Sequence, residues 1–262
     1  MATRLPQGAF GWTRWLGAIW TLVRTDFKVR YHGTVGGFVW ALLKPLSMFI
    51  VLMGIFSYVF ASSRDYTLNL VVGLFLWDFF AESTRVGIIS LHSKAFLIAK
   101  TRFPRWIVVA TAVASPLVTL AVFSAAVVLV LFLLGRGPSL AALALYGVYL
   151  LCYVLIVLGI SLAGSVLFLR YRDLNQVWEV VIQGGFFLAP IIYPLTILPE
   201  KVHFYLFLWP PTPVVHFTRM VLIQGVAPTA KGHGLLLLMT FSIVAIGALV
   251  FWRLAPSAAE KL

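Results

Sequence analysis

Two stretches decide the fold: Trp106–Leu134, WIVVATAVASPLVTLAVFSAAVVLVLFLL, and Ser139–Leu169, SLAALALYGVYLLCYVLIVLGISLAGSVLFL. Neither contains an Asp, Glu, Lys or Arg. A hydrocarbon core of about 30 Å needs roughly 20 helical residues at 1.5 Å each. Each stretch is therefore long enough to cross a bilayer, with residues to spare for tilt or projection. Four further, shorter segments can also meet that requirement, near Phe38–Phe60, Leu68–Ser90, Val177–Pro194 and Leu235–Trp252. The pattern predicts an all-α polytopic membrane protein with six transmembrane helices.

Composition supports that reading and excludes others. The chain has 262 residues, 61% apolar and 11% charged, and a mean hydropathy of +1.00. Soluble domains carry roughly 25% charged residues, so a charged shell cannot form. Disorder needs low hydrophobicity. A disulfide scaffold needs many cysteines, and Cys152 stands alone in an apolar run. The net charge of +12 is dispersed among the spans, so it suits anionic lipid headgroups and leaves no basic domain for nucleic acid.

Lys and Arg also set the expected sidedness. Fourteen fall on one side: in the N-terminal stretch, the second and fourth connections, and the tail. Five fall opposite (Arg64, Arg136, Lys201, Arg219 and Lys231), and Lys44 lies within the first span. Both termini are thus expected in the cytoplasm. Residues 1–37 read as a cytoplasmic interfacial element: Arg14, Gly17, Thr21, Arg24, Thr25 and Lys28 form one polar stripe on a Trp-rich helix. Without an apolar core and cleavage site, this is no signal peptide. Residues 38–262 read as a single transmembrane domain.

Val202–Val226 is apolar enough to resemble a seventh span, but Pro210, Pro211 and Pro213 interrupt it. A seventh crossing would carry the basic tail outside. The expectation is two short re-entrant helices between spans five and six, covering the mouth of a pathway or serving as a structural cap.

No phosphate loop, nucleophile elbow or metal-ligand spacing is present. The chain reads as non-catalytic, so energy for transport would come from another polypeptide. In the second connection, Phe96, Leu97 and Ile98 form an apolar knob ringed by Lys94, Lys100, Arg102 and Arg105. Pro104 opens the next span. Such a knob suits docking on a soluble partner, or an ordinary positive-inside loop. Asp78, Glu82 and Arg85 share one face of span two, and Lys44 lies at a similar depth. An ion relay or a pair locking the hairpin would both use them. Span five carries Gly184, Gly185, Phe186, Phe187 and Tyr193, compatible with a packing seam or with rings that stack on sugars.

Taken in order, several short motifs resemble one family. They are Val29–Tyr31, Gly36–Trp40, Lys44–Leu46, Gly73–Phe80, Leu97–Lys100, Phe103–Arg105, Tyr171–Leu174, Ala189–Pro194 and Leu208–Pro213. Over almost its whole length the chain resembles the membrane subunits of ABC-2 exporters of lipid-linked polysaccharides such as O antigens. The resemblance implies a homodimer in a bacterial inner membrane, paired with two nucleotide-binding subunits that hold ATP and Mg. This chain would bind no cofactor. Lys94, Phe96, Leu97, Ile98, Lys100, Arg102, Phe103, Pro104 and Arg105 would couple to the ATPase, with Arg172 and Asp173 as a second contact. Arg24, Lys28, Arg30 and Arg170 would hold the diphosphate of an undecaprenyl-linked glycan. Trp40, Phe49, Phe56, Phe186, Phe187 and Tyr193 would line the channel, and Trp209, Pro210, Pro211 and Pro213 the periplasmic gate. The alternatives are another glycan cargo (teichoic acid or capsule), an ion-coupled secondary transporter, or a membrane transferase.

Overall fold

The computed structural model of the chain describes residues 12–31, 37, 39–60, 65–100 and 104–258. Among these the regular structure is helical throughout. The α-helices are α1 (Trp12–Tyr31), α2 (Val39–Val59), α3 (Tyr66–Ser93), α4 (Ala95–Lys100), α5 (Arg105–Leu133), α6 (Leu140–Arg170), α7 (Leu174–Leu188), α8 (Glu200–Phe207), α9 (Pro211–Arg219) and α10 (Ala230–Ala258). A short 3-10 turn, Leu195–Ile197, precedes α8, and a π-helical turn, Met220–Gln224, follows α9.

Local signals place the helix ends. The Ser139 hydroxyl accepts from the Ala142 amide at 3.2 Å and caps α6. Gly135, at φ +70°, ends α5 in the left-handed region that an L side chain resists. Pro190 holds the preceding Ala189 extended, at φ −76° and ψ 130°, and so stops α7.

Among the described residues four helices, α2, α5, α6 and α10, are long and apolar enough to cross a membrane. This corrects the expected six. The segment expected over 177–194 yields α7, whose 15 residues span only about 22 Å. The segment expected over 68–90 lies in α3, whose 28 residues are diluted by Asn69, Asp78, Glu82 and Arg85. Protein encloses α3: residues from Leu70 to Leu91 are buried around it, and α2, α5, α6, α7 and α9 all pack on it.

The core forms where small residues let helices meet. A Cβ on Gly247 of α10 would lie 2.1 Å from the Gly159 carbonyl oxygen of α6, and one on Gly159 would lie 2.8 Å from the Ile243 oxygen. The two backbones touch, so dispersion replaces the hydrophobic drive that lipid does not supply. Gly87 and Gly164 do the same between α3 and α6, against Ser161 and Ile88. Tyr153 is fully buried at this crossing and donates to the Leu76 carbonyl at 3.0 Å.

Two other expectations are corrected. The proline-rich segment does not form a re-entrant gate. Pro211 opens α9, where its missing N–H costs nothing. From Pro211 to Arg219 every residue except His216 is buried, with α9 set against α3 and α6. It is a core element. The N-terminal stretch is likewise not an amphipathic helix lying on a lipid surface: α1 packs along α5, and its Asp26 pairs with Lys94. Protein contacts hold it.

The bundle has two distinct ends. At one, Asp65 before α3 pairs with Arg136 after α5. At the other, Arg105 at the start of α5 donates to the Ala255 carbonyl near the end of α10.

Candidate functional site

A cleft of about 330 Å³ opens where α2 leans on α3 and α5. Trp40, Lys44, Phe75, Asp78, Glu82 and Phe123 line it. The i, i+4 spacing of Asp78 and Glu82 turns both toward α2, where the Lys44 Nζ lies 4.0 Å from each. Glu82 also faces Arg85 at 3.7 Å. Arg85 Nε then donates to Glu179 Oε1 on α7 at 2.7 Å. The four residues singled out by spacing thus meet through Lys44–Asp78, Lys44–Glu82 and Glu82–Arg85, and Glu179 joins them.

The links differ in strength. The Lys44 side chain is 65% exposed and its contacts are long, so each is worth at most about 1 kcal/mol. The Arg85–Glu179 bond is short and partly buried, in the charge-assisted range of about 1.5–3 kcal/mol. One residue back on each helix, Trp178 Nε1 donates to Thr84 Oγ1 at 2.9 Å, a second tie between α7 and α3.

An aromatic wall continues from this point. Phe186 meets Trp77 edge-on at 5.7 Å, and Trp209 lies 6.5 Å from Trp77 and 5.8 Å from Phe80. The Trp209 ring sits where Gly185 leaves room: a Cβ there would lie 2.4 Å from it. Phe187 is exposed, and its carbonyl accepts from the Tyr193 hydroxyl at 2.9 Å. Phe186, Phe187 and Tyr193 thus sit together at the end of α7. Trp40, Phe49 and Phe56 run down α2, Trp40 exposed and Phe49 and Phe56 packed against the core. Trp209 is half-buried, Pro210 caps α9, and Pro211 and Pro213 are buried in its first turn.

The opposite end holds the expected docking residues. Phe96 on α4 is 71% exposed, while Ile98 packs on a small core that includes Leu91, Val108, Leu169 and Phe251. Lys94 and Arg105 face inward, to Asp26 and the Ala255 carbonyl. Leu97 is half-buried, as is Pro104 ahead of α5. His92 packs on Phe168 at 5.9 Å, and the Arg172 guanidinium lies 5.3 Å over the same ring. That places exposed Asp173 and the α6–α7 turn near the end of α3, which leads into α4. Arg170 stacks on Tyr171 at 5.5 Å. Arg24 and Lys28 are exposed on α1. Arg102, Phe103 and the side chains of Arg30 and Lys100 lie outside the described residues.

Three charged residues escaped the sequence reading. Asp26 and Glu179 are acids isolated in apolar helices, where a buried partner should be sought. Arg219 was counted only as a loop charge. It is buried on α9, donating through Nε to the Asn69 carbonyl at 2.9 Å, through Nη2 to that of Ile191 at 3.0 Å, and through Nη1 to that of Pro190. Burial pulls it down to about 10, against the favourable field of Tyr66, so it stays protonated at neutral pH. Burial, then Arg219 and His203, push neighbouring His216 down to about 4.

Among the described residues no group of His, Cys, Asp or Glu could hold a metal ion. Among the described residues the arrangement offers ion pairs, aromatic faces and an exposed apolar ring on α4.

Comparison with known proteins adds a lineage. The family described as ABC-2 type transporter matches residues 17–223. The O-antigen export system permease protein RfbA of Klebsiella pneumoniae is 29% identical over 242 residues, spanning 92% of this chain and 93% of its own. Another RfbA of that species is 31% identical over 69% of this chain and 70% of the relative. The polysialic acid transport protein KpsM of Escherichia coli is 23% identical over 84% and 86%.

Proposed function

The chain belongs to the ABC-2 type transporter family, and from that premise we propose that it is the membrane subunit of an ATP-driven polysaccharide exporter. Its cargo is an undecaprenyl-diphosphate-linked glycan of the O-antigen type, moved from the cytoplasmic to the periplasmic side of a bacterial inner membrane. The observation that carries this reading is the likeness to an O-antigen permease over 92% of the chain. The chain works as a homodimer with two ATPase subunits, which hold ATP and Mg and supply the energy. Both termini face the cytoplasm, in keeping with the positive-inside bias.

Each step falls to named residues. Exposed Arg24 and Lys28, with Arg30 and Arg170, attract the diphosphate at headgroup depth. The ATPase grips α4 through Phe96, Leu97 and Ile98, with Arg172 and Asp173 as the second contact. The connection of Lys94 to α1 and of Arg105 to α10 passes movement of α4 to those helices. The glycan slides past Trp40, Phe49, Phe56, Phe186, Phe187 and Tyr193, since ring faces stack on many sugars without fixing one.

The test is reconstitution. The chain with its ATPase should move lipid-linked glycan across proteoliposomes in an ATP-dependent manner, and neither alone should do so. Transport by the isolated chain, or transport driven by an ion gradient, would overturn the reading. The likeness to a polysialic acid transporter over 84% of the chain favours a second cargo, a capsular polysaccharide. Complementation of strains lacking an O-antigen permease or a capsule permease separates the two.

A further inference from the structure

Three adjoining clefts, of about 630, 460 and 260 Å³, surround the start of α3 at the end marked by Asp65 and Arg136. They share walls. Asp65 and Arg136 line the first two, Tyr66 the second and third, and Asn69 and Gln224 the first and third. Together they make one trough.

Its lining differs from the rest of the molecule. In a chain only 11% charged, this end gathers two planar amides, Asn69 and Gln224, with the half-buried Tyr193 ring, over a buried Tyr66 whose hydroxyl donates to the Ile192 carbonyl. A mixture of amide donors and acceptors with ring faces suits the hydroxyl edges and C–H faces of sugars. A lipid tail would need a continuous apolar groove instead.

The third cleft adds charge. Arg219 lines it, and three backbone carbonyls satisfy guanidinium hydrogens without neutralising the cation. Among the described residues no carboxylate lies within ion-pair distance of Arg219, and Asp65 at the far side of the trough is engaged with Arg136. His216, also lining the third cleft, supplies no negative charge in either protonation state. A buried cation without a counter-charge favours an incoming anion, because the low-dielectric surroundings screen little.

We propose that this trough binds an oligosaccharide segment bearing an acidic group, with the acid drawn to the Arg219 corner and the neutral sugars along Tyr193, Asn69 and Gln224. The proposal rests on the glycan-export reading and names a saccharide class for it.

The experiment uses the full-length chain in nanodiscs and calorimetry with three probes. These are a hexuronate-containing disaccharide, a neutral disaccharide of the same length, and inorganic phosphate. The acidic disaccharide should bind about tenfold more tightly than the neutral one, as one charge-assisted contact allows. Gln224 is exposed at the trough wall, so Gln224→Glu should abolish that preference with the melting temperature unchanged. Equal affinity for both disaccharides, no binding, or phosphate binding as tightly as the acidic sugar would each overturn the proposal. If binding fails while ATP-dependent glycan export persists, the trough is wrong and the exporter reading stands. If the sugar binds and no export occurs, the reverse holds.

Discussion

Arg85 and Glu179 stand 94 residues apart in the chain and 2.7 Å apart in the fold. Their bond ties α7 to α3, on which α2, α5, α6 and α9 also pack. With the Trp178–Thr84 bond it fixes the inclination of α7, and through α7 the position of Phe186 and Phe187.

Removing one partner should therefore cost more than removing Lys44. Glu179→Gln or Arg85→Met should lower stability by about 1.5–3 kcal/mol, and Lys44→Met by less than about 1 kcal/mol. Thermal unfolding in detergent reads both. A double-mutant cycle on Arg85 and Glu179 should return a coupling that Lys44 and Glu82 lack.

Gly247→Ala should be among the most damaging single-methyl changes in the chain. The new Cβ would meet the Gly159 carbonyl at 2.1 Å, and backbone cannot rotate away as a side chain can. Overpacking costs about 1–3 kcal/mol even in yielding cores, so loss of folded protein on size exclusion is expected. Gly234→Ala in the same helix meets nothing within 4 Å and serves as the control.

Phe186 and Phe187 should separate structure from transport. Phe186→Ala removes a ring packed on Trp77 and should cost about 1–3 kcal/mol, below the range for a fully buried Phe. Phe187 is 66% exposed, so Phe187→Ala should leave the melting temperature unchanged. A slowed glycan export in that variant would fit stacking during passage, and unchanged export would remove Phe187 from the path.

Acid should destabilise the α9 region in a defined window. His216 has a folded value of about 4 against an ordinary one of about 6.5. Between these values the unfolded chain binds more protons, so stability rises with pH across the window. The contribution is complete above pH 6.5 and lost as pH falls towards 4, at most about 3 kcal/mol in all. Melting curves from pH 4 to 7 should show this slope, and His216→Gln should flatten it.

Phe96→Asp should uncouple the chain from its ATPase without unfolding it. The ring is 71% exposed on α4, so the fold loses little, while an apolar groove would reject the carboxylate. Copurification of the ATPase and stimulation of its hydrolysis are the readouts.

The sequence carried the long spans clearly because an uncharged apolar run is a local property. It carried Asp78, Glu82 and Lys44 for a similar reason: helical spacing alone puts the two acids on one face. It was less reliable at α7 and α9. Hydropathy there is high, yet Pro190 stops one helix short and Pro211 starts the other, and apolarity does not say whether lipid or protein receives the side chains. Glu179, Asp26 and Arg219 were illegible as partners, since each meets a group from a distant element.

By itself, the sequence determined that this is a helical membrane protein, because composition and apolar runs are summed along the chain. The tertiary structure alone decided that α3 is enclosed by protein, that α9 belongs to the core, and that α6 and α10 meet glycine to glycine. Those outcomes depend on which surfaces come within van der Waals distance, and spacing along one strand of sequence holds no record of the neighbour that fills it.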